Sequence, residues 1–136
     1  MSFELRDHTA DVAVEATGEG LGAVFAAVAD GMAAAMTDED PETGERFAFE
    51  ERAESREALL YDFLDRLIYE RDVRGVLPVD HEAAVREAAG EWVVEGSARG
   101  VPLDAVHARD LKAVTYSEMD LSEMKGEWHA YVVFDV

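Results

Sequence analysis

The last nine residues constrain the fold more than any other stretch. In Trp128–Val136, residues 128, 130, 132, 134 and 136 fall on one face of an extended chain. His129, Tyr131, Val133 and Asp135 fall on the other. Successive side chains of a strand point to opposite faces, and both faces here carry apolar groups. Such a strand needs cover on both sides, so it belongs inside a sheet rather than at its edge. The remainder of the chain therefore has to supply neighbouring strands and the helices that cover them.

Those elements can be read from periodicity. Val12, Val14 and Ala16 alternate with polar or small residues from Asp11, which marks a short strand. Gly18 and Gly20 interrupt it. From Leu21, apolar residues at 21, 24, 25, 28, 32, 35 and 36 trace an amphipathic helix of about four turns. Thr37–Gly44, with Pro41, reads as a surface loop. Phe47 and Phe49 alternate in a second strand. Ser55 is placed to cap a helix carrying Leu59, Leu60, Phe63, Leu64, Leu67 and Ile68, the clearest helical pattern in the chain, which Gly75 and Pro78 end. Residues 79–89 fit helix or strand. Trp92–Gly96 reads as strand, Gly100–Pro102 as a turn or irregular crossing, and Ala113–Tyr116 as strand. The expectation is one α+β domain over residues 1–136: a mixed or antiparallel sheet packed with two main helices. At 136 residues and 49% apolar composition, such a chain can bury a real core.

Composition excludes several function classes. There is no cysteine, so disulfides, thiolate metal sites and cysteine nucleophiles are excluded. No apolar run approaches the roughly 20 residues of a membrane span. The first residues lack a basic segment followed by an apolar one, so a cytoplasmic location is expected. The net charge is −19, with two lysines against ten arginines. Phosphate binding needs a basic stripe, and Arg66–Arg74 is interleaved with Glu70 and Asp72, so direct nucleic-acid binding is not expected. The acids are spread along the chain rather than gathered in a tail. Self-repulsion in such a coat is relieved by salt, which suggests a high-salt cytoplasm and a halophilic origin.

Two places could carry chemistry. Asp7-His8-Thr9-Ala10-Asp11 packs two carboxylates, an imidazole and a hydroxyl ahead of a strand. These residues serve equally as ligands or acid–base groups and as turn-forming residues. At the other end, Asp135 adjoins the terminal carboxylate of Val136. If a third carboxylate meets that pair, the group suits a hard cation such as Ca²⁺ or Mg²⁺; otherwise it is a solvated chain end. His8, His81, His107 and His129 show no zinc-ligand spacing. A P-loop and a nucleophile elbow are also absent. No self-sufficient catalytic constellation is present.

Several segments taken together resemble the archease family. DHTADV at Asp7–Val12 precedes a helix ending in MAAAM. ALLYDFLDRLIYERD at Ala58–Asp72, DLKAVTY at Asp110–Tyr116 and WHAYVVFDV at Trp128–Val136 complete the pattern. The resemblance implies a non-catalytic cofactor rather than an enzyme. Its implied partner is the RtcB-type tRNA-splicing RNA ligase, whose GTP-dependent guanylylation and multiple turnover it would promote. The alternative it implies is a chaperone-like modulator of a tRNA methyltransferase or another RNA-processing enzyme. It further implies a divalent metal, Ca²⁺ first and Mg²⁺ or Mn²⁺ as alternatives, held by Asp11, Asp135 and Val136. Asp7, His8 and His107 would be partner-facing or would support the metal ligands. The pattern departs at Ser117, where the family often has histidine after Thr-Tyr. A metal-dependent hydrolase built on Asp11 and Asp135 is the remaining alternative, but it lacks an evident base or nucleophile.

Overall fold

The computed structural model describes residues 2–8 and 11–136; side chains are described from Asp11 onward and at residues 2–5. In chain order the elements are β1 (Ser2–His8), β2 (Asp11–Gly18), α1 (Leu21–Met36), β3 (Glu45–Ala53), α2 (Arg56–Arg74), β4 (Val76–Ala88), β5 (Glu91–Pro102), β6 (Ala113–Met124) and β7 (Glu127–Asp135). They form two antiparallel sheets, one ordered β1-β2-β7-β6 and the other β3-β5-β4. Each helix packs on strands of both sheets: α1 on β2 and β4, α2 on β6 and β3. This is the expected α+β domain with two helices, divided into two sheets.

β7 lies between β2 and β6, as its two apolar faces require. Val132 and Phe134 are fully buried on one face, and Val133 is buried on the other. Leu59, Leu60, Phe63, Leu64 and Leu67 of α2 are all fully buried. At its start, Ser55 Oγ accepts the Ala58 N–H at 3.1 Å, and Gly75 ends it in the left-handed conformation at φ +66°. Phe25, Phe63 and Phe49 join the helices to the second sheet, with successive ring centroids 5.6 Å apart.

The structure differs from sequence expectation in three places and settles a fourth that the sequence left open. Ser2–His8 forms an additional edge strand, so Asp7 and His8 lie in β1 rather than in a turn. Residues 79–88, which fit helix or strand, are strand, and Ala89 begins the turn to β5. Here a bulge lies between Val79 and Glu82, and Pro78 is tolerated because β4 is an edge. Gly100–Pro102 is the end of β5, paired with Val76–Pro78, and not a turn. Strand β6 runs eight residues beyond Tyr116, to Met124, past an irregularity between Thr115 and Asp120. The Thr37–Gly44 loop is observed. Arg99 Nη1 pins it by donating to the carbonyls of Pro41 (2.8 Å) and Thr43 (2.6 Å). Gly44 closes it at φ +106°, where a side chain would also collide with the Gly100 carbonyl.

Candidate metal and partner site

Asp11 and Asp135, from the two separate segments singled out in the sequence, meet through strand register. Because β2 and β7 are antiparallel neighbours, Asp11 lies directly opposite Asp135, followed by Val12↔Phe134 and Ala13↔Val133. Directly opposed residues in such a ladder have Cβ atoms about 4.5–5.5 Å apart and share a face. The end of β7 is also held from its other side: Asp135 pairs with Ala113, and its carbonyl accepts the Lys112 N–H at 2.8 Å. Two aspartates thereby share one ladder position, Asp11 at the start of β2 and Asp135 at the end of β7. Asp135 and Val136 are exposed, and Asp11 is half-buried.

Asp11 and Val136 line an open cleft of about 430 Å³. Leu5, Val12, Ala34 and Ala35 form its apolar wall; Asp38, Arg109 and Asp110 complete the charged part. Asp135 does not line this cleft, although its backbone pairs with Asp11. The segment between β5 and β6 supplies Arg109 and Asp110, and it is laid across the C-terminus of α1 by specific bonds. The backbone N–H of Arg109 donates to the Met36 carbonyl at 2.6 Å, and its Nε to the Ala35 carbonyl at 3.2 Å. These are carbonyls that a helix C-terminus leaves without intrahelical donors. Thr37 Oγ1 donates to the His107 carbonyl at 2.8 Å. Arg71 donates through Nη1 to the Leu111 carbonyl at 2.7 Å and stands 4.0 Å from Asp110.

The remaining predicted residues are placed less directly. The side chains of Asp7 and His8 lie outside the described residues; the backbone of His8 pairs with Asp11. His107 is exposed, outside the lining of the cleft, and its backbone N–H donates to Glu39 Oε2 at 3.2 Å. Among the described residues, no three His, Asp or Glu side chains are gathered for a metal. The set of Asp11, Asp135 and Val136 reaches three donors only through the carboxylate of Val136. Sequence reasoning missed the lining by Asp38 and Arg109. Both lie in segments without periodicity, and neither stretch carries a signal of its own.

His81, which has no partner at zinc-ligand spacing, has a structural place. Its ring is fully buried, with Nδ1 2.7 Å from Asp30 Oδ1, which also accepts the His81 backbone N–H at 3.1 Å. It is a core histidine that ties the β4 bulge to α1.

Residues 3–136 match the Archease protein family. The chain belongs to the archease family. Protein archease from Pyrococcus furiosus is 29% identical over 139 residues, covering 98% of each chain. The Methanothermobacter thermautotrophicus protein of the same name is 33% identical over 137 residues, also covering 98% of each. The solution structure of protein 1598 from Methanobacterium thermoautotrophicum matches with a TM-score of 0.86 at 33% identity, covering 98% of both chains. The crystal structure of a Thermotoga maritima archease, described as a possible chaperone, shares the fold: its TM-score is 0.65 at 19% identity, covering 96% of this chain and 94% of that one. Among the described residues, no helix is long and apolar enough to cross a membrane.

Proposed function

We propose that this archease-family protein is a non-catalytic partner of the RtcB-type tRNA-splicing ligase, promoting its guanylylation by GTP and its multiple turnover. The observation that carries this reading is the register pairing of Asp11 with Asp135 at the chain's acidic, accessible end. The donor chemistry fits a hard divalent cation: carboxylate oxygens only, on rigid strands, with no sulfur or imidazole in the set. Asp11, Asp135 and the carboxylate of Val136 would hold it, with Ca²⁺ favoured over Mg²⁺ or Mn²⁺. When bound, the cation supplies positive charge that offsets carboxylate repulsion and can be shared with a partner's phosphate chemistry. The chain's own residues contribute position. The β2–β7 ladder fixes the carboxylates, and the segment across the α1 C-terminus shapes the cleft beside them. Asp7, His8 and His107 would face the partner or support the carboxylates. A high-salt host agrees with the chain's charge, and a cytoplasmic setting is part of the same reading.

The test is RNA ligation by the cognate ligase in molar salt, with GTP, Mn²⁺ and RNA in excess over ligase, followed alongside ligase guanylylation. This protein is expected to turn one round of ligation into many and to accelerate guanylylation. Unchanged turnover would contradict the proposal.

A second reading is favoured by the Thermotoga relative's description as a possible chaperone. On that reading the chain assists an RNA-processing enzyme such as a tRNA methyltransferase. Exposed large apolar residues such as Tyr69, Val73, Tyr116 and Met124 could serve it. Suppression of the client's aggregation without any change in ligation would favour it.

A further inference from the structure

Among the described residues lining the Asp11–Val136 cleft, Arg109 is the one cation, set against Asp11, Asp38 and Asp110. It is anchored independently of any bound ion. Its backbone N–H holds the Met36 carbonyl and its Nε the Ala35 carbonyl, while Nη2 stands 3.6 Å from Asp38 Oδ1. An exposed arginine in an ordinary surface pair is free to swing away. This one is also exposed, but its Nε bond to the Ala35 carbonyl holds the guanidinium over the helix terminus beside the cleft.

We propose that Arg109 is a tethered counter-charge that sets the affinity of the neighbouring carboxylates for a divalent cation. This rests on the metal reading above and concerns how that site is regulated. Without a cation, the guanidinium offsets part of the repulsion among the carboxylates. With one, it opposes the incoming charge, so the affinity stays low enough for the ion to exchange. The sign follows from Coulomb's law: removing a nearby positive charge tightens the binding of a cation.

The experiment is calorimetric titration of the full chain with Mn²⁺ alone, in low-salt buffer and again in molar KCl. Wild type is compared with Arg109→Gln, Arg109→Lys and Asp11→Asn. The expected result is that Arg109→Gln binds Mn²⁺ roughly three- to tenfold more tightly at low salt. That gain should shrink in molar KCl, where the Debye length is about 3 Å. Arg109→Lys keeps the charge but loses the Nε bond to the Ala35 carbonyl, so its affinity should fall between those of wild type and Arg109→Gln. If Asp11→Asn abolishes binding while Arg109→Gln binds equally or more weakly, the counter-charge role is overturned and the carboxylate site stands. If wild type itself binds no Mn²⁺, the site fails and this inference falls with it.

Discussion

At the scale of residues, opposition across one ladder position does most of the work. Asp11 and Asp135 are 124 positions apart in sequence but directly opposed in the sheet. The sequence showed that each end carried carboxylates; only topology could show that β2 and β7 are neighbours. Close packing of α1 on the same sheet also depends on Gly31. A Cβ there would lie 2.5 Å from Val14 Cγ1, so α1 can approach β2 only without a side chain at this position. Gly31→Val is expected to destabilise the fold by ~1–3 kcal/mol, the usual range for overpacking a core, as measured by urea unfolding. Asp62 is the opposite case. Burial first, then the charges of Glu51 and Asp65, push its carboxyl above the ordinary aspartate value. An acid raised in this way costs stability once ionised. Because the site is partly solvated, Asp62→Asn is expected to stabilise by only a few tenths of a kcal/mol at neutral pH and low salt. A lower melting temperature for this variant would refute the assignment.

At the scale of elements, legibility followed periodicity. Both helices could be read because their apolar positions recur at helical spacing, and Ser55 and Gly75 mark the limits of α2. β1 was missed because SFELRDH carries only Phe3 and Leu5 as apolar residues, and its charged remainder resembles a turn. Gly100–Pro102 was misread because Gly and Pro usually break strands. Here Gly100 is needed for close packing, with a Cβ there only 2.9 Å from Val76 Cγ2, and Pro102 sits at the last position of its strand. Helix α2 also carries a charge network whose i,i+4 pairs the sequence spaces but whose link to Glu51 only the fold shows. Glu70 is buried and accepts from Arg66 Nε at 2.8 Å and Arg74 Nε at 2.7 Å; Arg66 also reaches Glu51 at 2.6 Å. Burial alone would raise the Glu70 pKa, but the two arginines hold it below the ordinary value of 4.5. Its contribution is therefore complete above pH 4.5 and is lost as pH falls through the lowered folded-state value. Glu70→Gln is expected to cost about 1–2 kcal/mol at neutral pH, with the gap to wild type closing in acid. A gap independent of pH in urea titrations would contradict the network.

At the scale of the whole molecule, charge and fold make separate demands. The core is ordinary: aromatic and aliphatic side chains sealed between two sheets and two helices. The surface is not, because 31 acidic residues face only 12 basic ones. Repulsion among them should be relieved as salt is added, so the melting temperature is expected to rise from dilute buffer to molar KCl. Equal or greater stability in dilute buffer would refute adaptation to salt. This global acidity was fully legible in composition, whereas the cleft beside Asp11 was not. Asp38 comes from one loop, Arg109 and Asp110 from another, and the wall from β1, β2 and α1. The central claim is that Asp11 and Asp135, brought together by the β2–β7 ladder, are what a ligase partner requires. The most direct measurement is multiple-turnover RNA ligation with wild type and Asp11→Asn side by side, after unfolding curves show both equally folded. The account predicts that wild type sustains many turnovers and that Asp11→Asn leaves the ligase near a single round. Full turnover with a folded Asp11→Asn protein would contradict it.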